Sequence, residues 1–152
     1  MNLTEKKFEI CVRAIILNKN KVLVCKNLKK DYYFFPGGHV EFGENAKAAL
    51  FREIKEELGI SIKKYKFIGF VENIFKERWG KHHEFNLIFE AVPARINTKS
   101  REGHLLFSFL DIGQLSRNKV LPVALKKFLL KWLNDKKVFW GSQIFNKYTH
   151  GF

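Results

Sequence analysis

The sequence lacks long apolar runs: the longest, such as residues 14–17, are far too short to span a bilayer. Residues 1–7 contain no apolar segment of the kind found in secretory signals, so we expect a cytoplasmic protein. Only 3 prolines and 10 glycines occur in 152 residues, which excludes a collagen-like or low-complexity chain. With 46% apolar residues, the chain has enough material for the core of one domain.

Cysteine is also scarce, and neither cysteine points to a function. Cys11 and Cys25 each lie within an apolar, strand-like run. Two cysteines are too few for a disulfide framework, and their spacing is too wide for a thiolate metal site. We therefore expect two reduced thiols in the core.

Acidic residues are few relative to basic ones: 15 against 28, which gives a formal net charge of +13. Residues 61–152 carry 17 basic and 7 acidic side chains, so most of the excess lies in the second half. A positive field attracts polyanions such as nucleotides, RNA or phospholipid headgroups, but it does not select among them. A general preference for lysine explains the charge equally well.

Hydrophobic periodicity predicts several strands and two long helices. The strands are expected at 8–17, 22–25, 32–35, 66–75, 82–92 and 104–110, with a turn at 18–21 that joins the first two as a hairpin. The first helix is predicted at 46–58, with Asn45 as N-cap and Gly59 just beyond its end. The second is predicted at 121–133, with Pro122 in its first turn. This order is typical of a single mixed α/β layered domain.

The first predicted helix carries three carboxylates on one face. Glu53, Glu56 and Glu57 fall within about 100° of one another on a helical wheel. Like charges three or four residues apart destabilise a helix by about 0.2–0.5 kcal/mol per pair. Clustered carboxylate oxygens are the ligands that Mg²⁺ prefers, although a solvated acidic face neutralised by nearby lysine and arginine is the alternative. The preceding glycines, Gly37 and Gly38, allow a close backbone approach to a ligand.

These residues form part of a longer pattern that resembles the Nudix box. Gly38 is followed after five residues by Glu44, and after seven more by the segment 52–60, which reads Arg-Glu-Ile-Lys-Glu-Glu-Leu-Gly-Ile. Every specified position of the box is matched. The resemblance implies an α/β/α sandwich around a mixed β-sheet, here over residues 1–135. Residues 136–152 would then be a basic and aromatic extension packed on or beside the domain.

The resemblance also implies roles for individual residues. Glu53, Glu56 and Glu57 would bind a divalent metal, Mg²⁺ or alternatively Mn²⁺, together with the carbonyl oxygen of Gly37. Arg52 and Glu44 would pair to hold the loop and the helix together. The general base is left open between Glu53 and an acid in a later loop, Glu102, because relatives use either.

The resemblance implies hydrolysis of a nucleoside diphosphate linked to another moiety. We expect a small nucleotide such as ADP-ribose or a (d)NTP. Removal of a cap or pyrophosphate from an RNA 5′ end is an alternative, because the basic second half and the Lys/aromatic tail suit a nucleic-acid strand. A nucleotide-sensing domain without catalysis is a second alternative. We expect no membrane partner, and a homodimer remains open.

Other polar and aromatic residues give weaker indications. Glu84 faces either the site or solvent, and His39 either touches phosphate or is merely exposed. His82 and His83 are adjacent on one strand, so they should point to opposite faces and chelate poorly. The aromatic run 32–34 fits the core better than base stacking.

Overall fold

The strands and helices of the computed structural model follow the apolar periodicity closely. Residues 5–77 and 80–144 are described. The strands are β1 (Glu5–Ile15), β2 (Leu17–Asn18), β3 (Lys21–Asn27), β4 (Tyr33–Phe34), β5 (Gly37–His39), β6 (Ile62–Glu77), β7 (Gly80–Pro93), β8 (Leu105–Asp111) and β9 (Phe139–Gln143). The helices are α1 (Ala46–Leu58), α2 (Ile112–Leu115) and α3 (Val123–Asp135). The predicted single mixed α/β domain is confirmed.

The larger sheet has five strands in the order β5-β1-β7-β6-β9. β1 runs parallel to β7, with Phe8 beside His83, whereas β6 and β7 form a long antiparallel hairpin. Both hairpin strands extend beyond the predicted spans, because their polar ends still pair with each other. β9 closes the sheet parallel to β6.

The predicted hairpin between the first two strands is wrong for most of its length. Only Leu17 and Asn18 pair with β3, while β1 itself lies in the larger sheet. The chain changes sheets at Ile16, and β3 pairs with β4 and β8 instead. Local apolar pattern identifies strands, but it does not reveal a partner that lies some eighty residues away.

The two long helices differ in how well their ends were predicted. α1 has the predicted bounds: the Asn45 side chain accepts a hydrogen bond from the Ala48 N–H at 2.8 Å, and Gly59 adopts a left-handed φ of 67°. α3 begins at Val123 rather than Leu121, because Pro122 is the extended N-cap residue and not part of the first turn. It ends at Asp135, two residues later than predicted.

Two cores lie under the two helices. α1 packs with Val12, Ala14 and Phe89 of the larger sheet, whereas α3 packs with Ile15 and Ile88 on the other face. These layers place the loop before α1 next to β1 and β5. The two cysteines are free thiols in the core, as predicted.

Part of the predicted C-terminal extension forms β9, where Phe139 packs on the α3 side. The boundary at residue 135 stays a prediction, and residues 145–152 lie outside the described residues. None of the described helices is long and apolar enough to cross a membrane.

Candidate functional site

The site begins at β5, where two glycines bring the backbone against two different neighbours. Gly37 has a φ of 145°, and a Cβ there would overlap the backbone oxygen of Val12. A Cβ on Gly38 would lie only 2.6 Å from Oε2 of Glu53. Glycine at position 37 lets β5 pair with β1, and glycine at position 38 lets the backbone lie directly against a carboxylate of α1.

Arg52 fastens the start of the box to the helix. Its Nε donates to Glu44 Oε1 at 2.8 Å, and Nη2 donates to Glu44 Oε2 at 3.0 Å. Nη2 also donates to the backbone oxygen of His39 at 2.9 Å. This bidentate pairing holds the pKa of Glu44 at about 2, well below its ordinary value.

The same arginine contacts two of the three helix carboxylates. Nη1 of Arg52 donates to Glu53 Oε1 at 2.9 Å and to Glu56 Oε2 at 3.3 Å. These bonds offset the repulsion between like charges on one helix face.

Glu57 is the third carboxylate, and it is buried. Its side chain is 4% exposed, and Oε2 has no hydrogen-bond partner among the described residues. Burial raises the pKa of Glu57 to about 8; the Arg13 charge opposes this shift, and the charges of Glu53 and Glu102 add to it.

The loop after β7 brings Glu102 close to this site. The Arg101 N–H donates to the backbone oxygen of Glu57 at 2.8 Å, and Asn97 Nδ2 donates to Leu58 O at 2.8 Å. The Glu102 carboxylate pairs only weakly, at 3.7 Å from Nε2 of the exposed His104. The structure therefore places the predicted loop acid within electrostatic reach of Glu57.

The donor chemistry of this site fits a hard divalent cation. In the part of the chain that is described, no three acidic, histidine or cysteine side chains are arranged to hold a metal ion as they stand. Glu57 nevertheless offers a buried oxygen that has no partner among the described residues, and Gly38 lets the backbone lie directly against the Glu53 carboxylate. Binding would require Glu53 and Glu56 to exchange Arg52 for the cation.

A cavity of about 570 Å³ lies between the sheets, beside this site. It is lined by polar and aromatic side chains that include Arg13, Asn73, Glu84, Tyr32, Phe34 and Phe75, and by none of the helix carboxylates. Arg13 joins the two regions, because it pairs with Gly37 in the β-ladder and its charge acts on Glu57. The volume is within the range of small-molecule sites.

A buried polar network forms one wall of the cavity. Asn86 Nδ2 donates to Glu84 Oε1 at 2.7 Å and to Asn73 Oδ1 at 3.1 Å. Arg13 Nε donates to Asn86 Oδ1 at 3.1 Å, and its Nη2 lies 3.8 Å from Glu84 Oε2. Glu84 thus faces the cavity rather than solvent. Sequence reasoning missed Arg13, Asn73 and Asn86, whose signal was polarity inside otherwise apolar strands.

His39, His82 and His83 have partners other than the helix carboxylates. His39 is exposed, with Nε2 3.5 Å from Glu9 Oε2, and His82 Nδ1 lies 2.9 Å from Glu9 Oε1. His83 points to the opposite face, where it stacks on Phe85. The aromatic run 32–34 was expected in the core. However, Tyr32 and Phe34 line the cavity.

Comparison with known proteins places this geometry in a family. A family model described as the NUDIX domain matches residues 7–132. The chain is 36% identical over 75 residues to an 8-oxo-dGTP diphosphatase of Buchnera aphidicola subsp. Schizaphis graminum, which covers 47% of this chain and 58% of that relative. It is 28% identical over 128 residues to an ADP-ribose pyrophosphatase of Methanocaldococcus jannaschii, which covers 82% and 75%.

A solved structure shares the fold. The MutT protein from Methanosarcina mazei Go1 superposes with a TM-score of 0.68 at 22% identity, over 88% of this chain and 98% of that one. The chain spans less than two thirds of the length of the Buchnera relative. Because the family model matches residues 7–132 and the box from Gly38 to Ile60 is complete, the chain belongs to the Nudix family.

Proposed function

We propose that this chain hydrolyses a phosphoanhydride bond in a nucleoside diphosphate linked to another moiety, with a divalent cation bound at its box. The observation that carries this proposal is the buried Glu57 oxygen without a hydrogen-bond partner among the described residues. A buried carboxylate is costly unless a cation or a donor compensates its charge. The 8-oxo-dGTP and ADP-ribose relatives support a small nucleotide as substrate.

The cation would be held by Glu53, Glu56, Glu57 and the carbonyl oxygen of Gly37. Mg²⁺ is the first choice and Mn²⁺ the alternative, since both prefer oxygen ligands. When bound, such a cation neutralises phosphate charge and lowers the pKa of coordinated water towards neutrality. Arg52 would release Glu53 and Glu56 and keep its contacts with Glu44.

Glu44 would hold Arg52 in place. Its two oxygens hold the guanidinium through Nε and Nη2, so Arg52 keeps its position when Nη1 loses its carboxylate partners. The loop before α1 and the helix itself would therefore stay together while the cation binds.

We assign Glu102 as the general base, with Glu53 as the alternative. Its carboxylate is near Glu57, and the ion pair that it forms within the described residues, to His104, is long and exposed. It is therefore available to accept a proton from the attacking water, whereas Glu53 would be engaged with the cation.

The cavity would bind the nucleoside. Its aromatic side chains, Tyr32 and Phe75, supply apolar walls, and Glu84 and Asn73 supply polar contacts for the edge of a base. Arg13 borders both the cavity and the box, a position suited to the phosphates that connect the two parts of the substrate.

The purified protein tests this proposal when it is assayed with Mg²⁺ and Mn²⁺ against nucleoside triphosphates, ADP-ribose, nucleotide sugars and dinucleoside polyphosphates. We expect turnover of at least one substrate, and its loss in Glu56→Gln. The matched control is Glu41→Gln, which removes an exposed acid from the loop before α1. Failure on every substrate, with nucleotide still bound, would instead support a sensor without catalysis.

The choice of general base is tested separately. If Glu102 is the base, Glu102→Gln lowers kcat by about 10²–10⁴ and leaves the thermal stabilisation by Mg²⁺ unchanged. Glu53→Gln should reduce both kcat and that stabilisation. Equal loss of Mg²⁺ stabilisation in the two variants would contradict the assignment.

An RNA 5′ end is the second candidate substrate. Lys30 and Lys76 line the cavity, and both are exposed. An RNA strand that continues beyond its first nucleotide would leave the cavity past these two lysines. Activity on 5′-triphosphorylated RNA should then fall steeply between about 50 and 200 mM salt, whereas activity on ADP-ribose should not.

A further inference from the structure

The face of the larger sheet that carries α1 is only partly covered by it. α1 packs on Val12 and Ala14, and none of the described helices packs on the same face towards the start of β1. There Phe8 is 75% exposed and Ile10 is 51% exposed, although both lie inside a strand. Trp140 of β9 is 48% exposed on the same face, beside Phe70.

The aromatic rings on this face form a continuous row across strands. Phe8 lies 6.0 Å from Phe85 and 5.2 Å from His83, measured between ring centroids. Phe85 in turn lies 4.5 Å from His83 and 5.9 Å from Phe70, in stacked arrangements. We call this the Phe8 surface; it comprises Phe8, Ile10, Phe70, Ile74, His83, Phe85 and Trp140.

Three lysines border the Phe8 surface in adjacent register. Lys6 pairs with Lys81 across β1 and β7, and Lys76 pairs with Lys81 across β6 and β7. Each is two residues from a member of the surface, so strand alternation places all three on its face. All three are exposed, and the structure gives them no ion pair with the residues that it describes.

The three neighbouring lysines destabilise the sheet, and this suggests that a bound partner of opposite charge compensates them. Like charges directly opposite one another destabilise a sheet. A second apolar surface would not compensate three adjacent lysines, whereas a polyanion would. Glu72 is the single acid among the register partners of the surface, opposite Phe85.

We propose that the Phe8 surface binds single-stranded nucleic acid, with bases stacked on its aromatic rings and phosphates on Lys6, Lys76 and Lys81. The four strands from β1 to β9 span about 14 Å, at about 4.8 Å per step. Four-stranded sheets of RNA-binding modules stack two or three bases over such a width. Stacking on aromatic rings is independent of base identity, so binding is not sequence-selective.

Binding is measured by fluorescence anisotropy with labelled oligo(U) and oligo(dT) of about 12 nucleotides, in EDTA so that no hydrolysis occurs. The full chain is compared with Phe8→Ala, and with a triple Lys→Gln variant at positions 6, 76 and 81. The controls are Phe67→Ala, an exposed ring further along the same sheet, and Lys→Gln at 29, 64 and 131, which removes equal charge elsewhere.

We expect Phe8→Ala to weaken binding at least about fivefold, because one stacked base is lost. The triple variant should lower the slope of log affinity against log salt by about 2, since each phosphate contact contributes about 0.7. The comparison of oligo(U) with oligo(dT) shows whether the surface prefers RNA or DNA. A preference for either one supports the proposal. Hydrolysis of small nucleotides should be unchanged in Phe8→Ala, because Phe8 lines neither the cavity nor the box.

Three results would overturn the proposal. The first is weakening by the control variants equal to that of the test variants, which would mean that only net charge matters. The second is absence of oligonucleotide binding at low salt. The third is a wild-type dimer in sedimentation velocity that Phe8→Ala dissociates without any change in oligonucleotide affinity, because the surface would then bind a second copy of the chain.

Discussion

Alanine substitutions at the two adjacent glycines of β5 should have different consequences. A Cβ on Gly38 meets only the end of the Glu53 side chain, at 2.5–2.6 Å from its oxygens. Ordinary contact needs about 3.4 Å, so the carboxylate must move by about 1 Å. Because Glu53 is flexible, the fold should accommodate this shift, and the lost backbone entropy of the unfolded chain slightly favours alanine.

Gly38→Ala should reduce the catalytic rate much more than it reduces the stability of the fold. Misplacement of a catalytic group by about 1 Å costs about 10²-fold in rate. We therefore expect Gly38→Ala to melt within a few degrees of wild type, to lose about 10²-fold in kcat, and to show weaker stabilisation by Mg²⁺. Differential scanning fluorimetry with and without Mg²⁺, and a phosphate-release assay, measure these quantities.

Gly37→Ala is the matched comparison. Its Cβ would overlap a backbone oxygen of β1, and a φ of 145° is unfavourable for alanine. We expect destabilisation of about 3 kcal/mol, or a fall in Tm of about 6–12 °C for a chain of this size. Equal Tm losses in both variants, or wild-type kcat in a folded Gly38→Ala, would refute the reasoning.

Three further predictions concern other parts of the molecule. Because Arg52 holds the pKa of Glu44 at about 2, the stability advantage of wild type over Glu44→Gln should be full above pH 4.5 and disappear as the pH falls through 2, in urea unfolding. Burial raises the pKa of Cys11 and Cys25 to about 12, so neither thiol should react with Ellman's reagent at pH 8 until guanidinium unfolds the protein. Glu57→Gln should melt at least as high as wild type in EDTA but lose the rise of about 5–10 °C that Mg²⁺ at 100 times its Kd gives wild type.

Each of these has a clear contrary result. A stability difference for Glu44→Gln that is constant from pH 5 to 2 would mean that the Arg52 pair does not act through charge. Rapid labelling of a thiol in the native protein would show that a cysteine is accessible. Retained Mg²⁺ stabilisation in Glu57→Gln would remove the buried oxygen from the metal site.

The sequence predicted the box region best, because its signals are local. Asn45 and Gly59 define the two ends of α1 through hydrogen bonds within four residues, so both ends can be recognised from the local sequence. The pairing of Arg52 with Glu44, implied by resemblance, is also contained in a short segment. The roles of Glu53, Glu56 and Glu57 at a metal remain predictions.

The cavity wall could not be predicted, because its members come from distant strands. Arg13 lies on β1 and Asn86 on β7, and only the parallel pairing of these strands brings them into contact. Their polarity within apolar runs was visible, but it did not show which strands are neighbours. The same pairing explains why the hairpin expected near residue 20 is short.

The parallel contact between β1 and β7 also affects how the chain can fold during synthesis. The neighbours of β1 in its sheet are β7 and the short β5, so most of its edge stays unpaired until translation has passed Pro93. Contacts of such long sequence separation are slow to form, and an exposed apolar strand invites association in the meantime. Nascent β1, with Phe8 and Ile10, is therefore an apolar segment that a ribosome-associated chaperone would protect from association until β7 has been made.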